Sequence, residues 1–256
     1  MNLQAWKKYF EENALHRVEP DWSRPCTLGR QEQAMLARSL AYFQLGESGG
    51  GNHLFSKAEG WVSKQHVELL RMFIREENEH ARQLACLVKR FGGSLIRKHW
   101  SHGCFSFIRQ ALDFDWEMQT LLCVELLGSA YYDFLGRQSR DPVLREACQL
   151  MVQDELQHLA FHLESFQQHQ MRRSPGQKTL WRWQFKLMLR LICAAAWLDH
   201  GRCMRHFGTN WATFMRKVEL LGAPWLESNI DLRLWYLCVR PAFPPASPFP
   251  SVGAAS

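Results

Sequence analysis

Proline is almost missing from the middle of this sequence: between residues 29 and 170 only Pro142 occurs. A stretch that long without a helix breaker is open to long helices. No C-x-x-C pair is present, and the eight cysteines (Cys26, Cys86, Cys104, Cys123, Cys148, Cys193, Cys203 and Cys238) are scattered through apolar helical patterns. That spread excludes a disulfide-dense scaffold and is expected of reduced, buried thiols in a cytoplasmic protein. No apolar run is long enough for a membrane span: the most apolar segment, Phe185 to Leu198, is broken by Lys186 and Arg190, ends at Asp199, and reads as a core helix. The first residues, MNLQAWKKYFEENALHR, are polar and charged where a secretory signal needs an apolar stretch, so export is not expected. The net charge of +6 comes from Lys and Arg spread along the chain, without an aromatic-basic RNA motif, which argues against a nucleic-acid partner.

What is present is apolar periodicity at three and four residues from about 29 to 170, as amphipathic helices require. Leu36, Leu40, Phe43, Glu47, Gly50 and Leu54 share one predicted face; Leu70, Phe73, Glu77, His80, Leu84 and Phe91 share a second. Met118, Leu121, Glu125, Gly128 and Tyr132 form a third, and Leu144, Cys148, Met151, Glu155, His158 and His162 a fourth. Each inward face carries ionisable residues at its middle. Turns are expected at Glu59-Gly60, Gly92-Gly93-Ser94, Ser101-His102-Gly103 and Asp141-Pro142, where the aspartate can cap and the proline open the fourth helix. The stretch from 92 to 113 is long enough to carry the chain along a whole bundle.

The expected organisation is therefore an N-terminal segment, 1–28, then an all-α four-helix bundle with a crossover connection, 29–170. A helical extension, 177–238, rich in Trp, Leu and Arg and including Trp181, Phe185, Leu189 and Ile192, is expected to pack on the bundle. The proline-rich tail, 239–256, is expected to be disordered.

Two E-x-x-H pairs occur, Glu77 with His80 and Glu155 with His158, and three residues along a helix put carboxylate and imidazole on one face. One such pair is weak evidence. The wider pattern is stronger: Glu47, Glu77 and His80 recur as Glu125, Glu155 and His158 with a common offset of 78 residues, and 30 residues separate the first glutamate of each half from the second. Thirty residues is the chain needed to climb from mid-helix, turn, and return to the same height on an antiparallel neighbour. Four carboxylates on apolar faces need a counter-charge to stay ionised, and two divalent cations supply it; mixed oxygen and nitrogen donors suit iron or manganese.

Glu-Glu-Asn-Glu-His at 76–80 and Asp-Glu-Leu-Gln-His at 154–158 resemble the motifs of the ferritin-like superfamily of di-iron carboxylate proteins. That superfamily includes acyl-carrier-protein desaturases, bacterial multicomponent monooxygenases, aldehyde-deformylating oxygenases and rubrerythrins. The resemblance implies a ferritin-like fold and two Fe ions, with Mn or a mixed Fe/Mn pair as alternatives, held by Glu47, Glu77, His80, Glu125, Glu155 and His158 and bridged by Glu125 and Glu155. It further implies dioxygen and a small organic substrate, an electron-donor protein or small reductant, and Glu76 and Asp154 bonded to the ligating histidines. His162 is then either an extra ligand, as in some arylamine oxygenases of this superfamily, or a pocket histidine. Gly50 and Gly128 also obey the 78-residue offset and, with Tyr132, either line a cavity beside the metals or allow close helix crossing. The sequence departs from rubrerythrins in lacking a rubredoxin-like cysteine module. A tRNA-modifying di-iron hydroxylase and a ferritin-like ferroxidase without organic substrate are the alternatives to an oxidase or oxygenase; a homodimer is compatible with all three.

Overall fold

Ser63, Asp113 and Asp141 each stand one residue before a long helix, and each side chain accepts a backbone N–H of the first turn: from His66 at 3.2 Å, Trp116 at 2.9 Å and Leu144 at 2.9 Å. These caps satisfy orphan donors and set where the helices begin. The computed structural model describes residues 1–111, 113–171, 173–227 and 231–239, and among these there are helices and no strand. In chain order they are α1 (Leu3–Leu15), α2 (Arg30–Glu47), α3 (Asn52–Ala58), α4 (Lys64–Arg90), α5 (Trp100–Ala111) and α6 (Phe114–Gln138). α7 (Pro142–Met171), α8 (Pro175–His206), α9 (Trp211–Leu221), α10 (Ala223–Leu226) and α11 (Leu232–Val239) follow.

Helix α2 packs on α4 and α6 packs on α7, both antiparallel: Gly93 lies against Ala37 while Asn78 bonds to Gly49, and Gly136 lies against Cys148 while Glu125 meets His158. The two pairs close on each other through α4 and α7, and through Ser39, Phe43 and Glu47 of α2 against Tyr131 and Tyr132 of α6. Since α4 ends beside the start of α2 and Phe114 begins α6 near His66 at the opposite end, the chain between them traverses the length of the helices. The turn expected at Ser101-His102-Gly103 does not form there; these residues belong to α5.

Helix α1 lays Trp6 and Phe10 against Phe161 of α7, with ring centroids 5.5 and 5.6 Å apart. Helices α8 and α9 cover α6. In α8, Trp181, Phe185 and Leu189 are buried and Ile192 is half-buried. The reading of Phe185 to Leu198 as a core helix holds for one side only, because Leu187, Leu191 and Leu198 are exposed. Of the tail expected to be disordered, Val239 closes α11 and the rest lies outside the described residues.

Candidate metal centre

Glu76, Glu77 and His80 occupy the middle of α4, and Asp154, Glu155 and His158 the middle of α7; both histidines are fully buried. The i, i+3 spacing turns each glutamate and histidine into the space between the four long helices. Oxygen atoms of Glu77, Glu125 and Glu155 and a nitrogen of His158 all lie within 4.8 Å of one another, a buried cluster that could hold a metal ion. His158 Nδ1 is 2.8 Å from Glu77, 3.2 Å from Glu125 and 3.9 Å from Glu155. His80 Nδ1 faces the same carboxylates from the other side, 3.4 Å from Glu155 and 3.9 Å from Glu77. Glu77 and Glu155 thus reach both histidines, while Glu125 pairs with His158 alone of the two. Glu125, expected with Glu155 to bridge the two metals, comes from α6 and joins the cluster beside His158, and the carboxylates that approach both imidazoles are those of the two E-x-x-H motifs.

Glu47 is the last residue of α2, half-buried, and its Oε1 accepts a hydrogen bond from the Tyr132 hydroxyl at 2.8 Å. Gly50 lies elsewhere. Helix α2 stops at Glu47, so Gly50 sits exposed in the following loop, where a Cβ would meet only Asn52. The shared helical face expected for Glu47, Gly50 and Leu54 is broken by Gly51, whose φ of 64° starts α3 and where a Cβ would fall 2.6 Å from the Phe55 ring. Gly128, by contrast, faces the cluster: a Cβ there would lie 3.5 Å from Tyr132, 3.8 Å from Glu155 and 4.0 Å from Glu47.

The outward nitrogens of the histidines are held crosswise. His158 Nε2 is 3.0 Å from Glu76 of α4, and His80 Nε2 is 3.2 Å from Asp154 of α7. The residue before each E-x-x-H glutamate therefore orients the histidine of the opposite motif, which leaves each Nδ1 turned to the carboxylates. The N-terminal segment joins the two acids: Arg17 is 3.4 Å from Glu76 and 3.2 Å from Asp154, and Asn13 donates to Asp154 at 3.0 Å and to Glu76. Composition and motif spacing point past Asn13 and Arg17. The signal that finds them is Trp6, Phe10, Asn13 and Arg17 spaced by four, three and four, with Asn13 on the buried side of α1 and Arg17 two residues past its end.

Without a cation the cluster repels itself. Burial, then the charges of Glu77, Glu155 and Glu125, push Glu47 well above the carboxylate range; burial with Glu77 and Glu155 does the same to Glu125. Burial would raise Glu77 too, but His158 and His80 outweigh it and hold it at about 2. Burial opposes charge on His80 and His158, yet the surrounding carboxylates raise both well above the ordinary imidazole value. Protons therefore stand where a metal would bring positive charge. Glu155 Oε2 is buried without a hydrogen-bond partner, and the buried set of carboxylate and imidazole donors could hold a divalent metal ion.

Comparison with known proteins yields no match to a family model, a curated protein or a solved structure.

His162, one turn past His158, is fully buried against Phe73, Phe161 and Phe166, and neither ring nitrogen has a partner. Burial, reinforced by His158, depresses it to about 3, so it is a neutral imidazole. It stands outside the tight group of Glu77, Glu125, Glu155 and His158. A second polar network adjoins the cluster on the α8 side: the Tyr131 hydroxyl is 2.6 Å from Ser39 Oγ, which is 2.8 Å from His200 Nδ1. Neither Ser39 nor His200 carries a motif that announces it.

Proposed function

We propose that this chain is a ferritin-like two-metal carboxylate protein, and that it acts as a non-haem di-iron oxidase or oxygenase using dioxygen on a small organic substrate. The observation that carries the reading is the crosswise pairing of Glu76 with His158 and Asp154 with His80, which makes two E-x-x-H motifs one reciprocal site. Glu47, Glu77 and His80 would hold one ion and Glu125, Glu155 and His158 the other, with Glu77 and Glu155 shared. Bound iron would supply the electrons that reduce dioxygen.

The chain's own groups do the rest. Glu76, Asp154, Asn13 and Arg17 fix the two imidazoles so that Nδ1, and not Nε2, faces the ions. Phe73, fully buried, packs its ring against His158 at 4.8 Å between centroids and keeps water from that side of the imidazole. Tyr132 holds Glu47 by its hydroxyl, and bare Gly128 leaves room for no more than a methyl group beside Glu47 and Glu155.

The test is metal content followed by oxygen reactivity. Purified protein reconstituted with Fe(II) is expected to hold two ions per chain, and mixing the reduced form with dioxygen in a stopped-flow spectrometer is expected to give a transient ligand-to-metal absorbance. Protein with no bound iron, or with iron inert to dioxygen, overturns the reading.

A further inference from the structure

Helix α8 buries Trp181, Phe185, Met188, Leu189 and Cys193 against the body of the protein, yet its opposite side is also apolar. Leu180 is 62% exposed, Trp183 64%, Leu187 44%, Leu191 62% and Leu198 78%, and Ala194 is exposed as well. With half-buried Gln184, the positions 180, 184, 187, 191, 194 and 198 alternate by four and three, the 3.5-residue period of a coiled-coil seam and not the 3.6-residue drift of a helix facing a rounded core. From the side-chain sizes, the exposed apolar patch is on the order of 600 Å² per chain, at the upper end for a monomer and close to the ~800 Å² each partner gives a standard interface.

We infer that this seam is the interface of a homodimer in which α8 packs antiparallel on α8 of a second copy. The order of side chains along the seam selects the direction. Around a two-fold axis between Leu187 and Leu191, Leu180 meets Leu198, Gln184 meets Ala194, and the bulk of Trp183 falls on the small pair Ala194-Ala195. A parallel arrangement would set Gln184 against Gln184 and Ala194 against Ala194, burying a polar pair in one layer and leaving a void in the other. Opposed helix dipoles also favour the antiparallel pairing. No acid occurs from residue 175 to 198, and of the basic residues Lys178, Arg182, Lys186 and Arg190 only Arg190 lies beside the seam. Arg190 is already neutralised by Glu219 of its own chain at 3.1 Å. The second copy thus covers the exposed leucines without needing a new counter-charge at that position.

Sedimentation of the full metal-loaded chain over a wide concentration range tests this. A dimer of twice 30.0 kDa is expected, and Leu187→Glu with Leu191→Glu should raise its Kd at least ~100-fold with helix content unchanged. If that pair of substitutions unfolds the chain, Leu198→Glu, at the most exposed seam position, gives the same reading. Leu15→Glu, equally exposed on α1, should leave the dimer intact. Mixing Leu180→Cys chains with Leu198→Cys chains under mild oxidation should give the mixed disulfide beyond the wild-type background. Disulfide within Leu180→Cys chains alone would overturn the antiparallel arrangement. A wild-type monomer overturns the proposal in each of its forms: one that floats with phosphatidylserine vesicles through Leu187 and Leu191 assigns the seam to a lipid surface, and one that dimerises only after removal of residues 240–256 assigns it to the chain's own tail.

Discussion

Glu47 and Glu125 hold equivalent places in the two halves of the cluster, 30 residues before Glu77 and Glu155, but their settings differ. Glu125 sits in the middle of α6, buried, 3.2 Å from His158. Glu47 ends α2, is half-buried, and is followed by a loop of three glycines; Tyr132 is its hydrogen-bonded partner. A helix interior cannot yield without breaking its ladder, whereas a helix end frays within a turn. The same spacing therefore places one carboxylate within a helix and the other at a helix end beside an exposed loop.

The sharpest way to break this comparison is to remove a shared carboxylate and an unshared one. Glu155→Ala, which takes away an oxygen facing both histidines, is expected to abolish stable binding of both metal ions, while Glu47→Ala should leave about one ion per chain in the Glu125 half. Plasma emission spectrometry of the two variants decides it; equal loss in both would mean that the halves are not distinct.

Next in size is the pH dependence of the metal-free chain. Glu47 and Glu125, raised above their unfolded values, and His80 and His158, also raised, all bind more protons folded than unfolded. Their stabilisation is present at low pH and is lost as pH rises through the folded values. Glu77 runs the other way, but its contribution is complete above the unfolded carboxylate value and is lost only as pH falls toward about 2. Between about pH 6.5 and pH 8, above the range where His162, depressed to about 3, adds stability as pH rises, urea denaturation should therefore show the metal-free chain losing at least ~1–2 kcal/mol, a slope that bound Mn(II) or Fe(II) removes by taking the place of the protons.

Third, Arg17→Met leaves Glu76 and Asp154 without their shared cation while touching no carboxylate of the cluster. Metal affinity in competition with a chelator should fall by about 10–100-fold in both halves, because each acid serves the histidine of the other motif. A change confined to one half would contradict the crosswise scheme. The smallest effect belongs to Gly128→Ala. The added methyl meets its neighbours at ordinary contact distances, so the variant should bind metal normally and gain about 0.5–1 kcal/mol of helix stability. Lost metal binding would show that the space beside Glu47 and Glu155 is needed by the ions themselves.

The buried cluster of Glu77, Glu125, Glu155 and His158 was legible because a helical period converts spacing into direction: three residues place Glu and His on one face, and thirty return the chain to the same height. Asp141 capping α7 followed from the same local chemistry. Gly50 shows where that reasoning ends, since its spacing copies Gly128 but Gly51, with its left-handed backbone, turns the chain out of the helix before the face can continue. Ser101 to Gly103 fails in the opposite way, as polar and small residues that read as a turn are carried in α5.

By itself the sequence determined four amphipathic helices, the Asp141 cap, and two copies of a glutamate and histidine pattern on inward faces, because these depend on neighbours within a turn or two. Only the tertiary structure decided that Glu76 serves His158 and Asp154 serves His80, that Asn13 and Arg17 close over both, and that Glu77 and Glu155 lie between the imidazoles. It also decided that one side of α8 stays in solvent. These are relations between chain segments tens to more than a hundred residues apart, and they are set by how helices cross, which no local periodicity encodes.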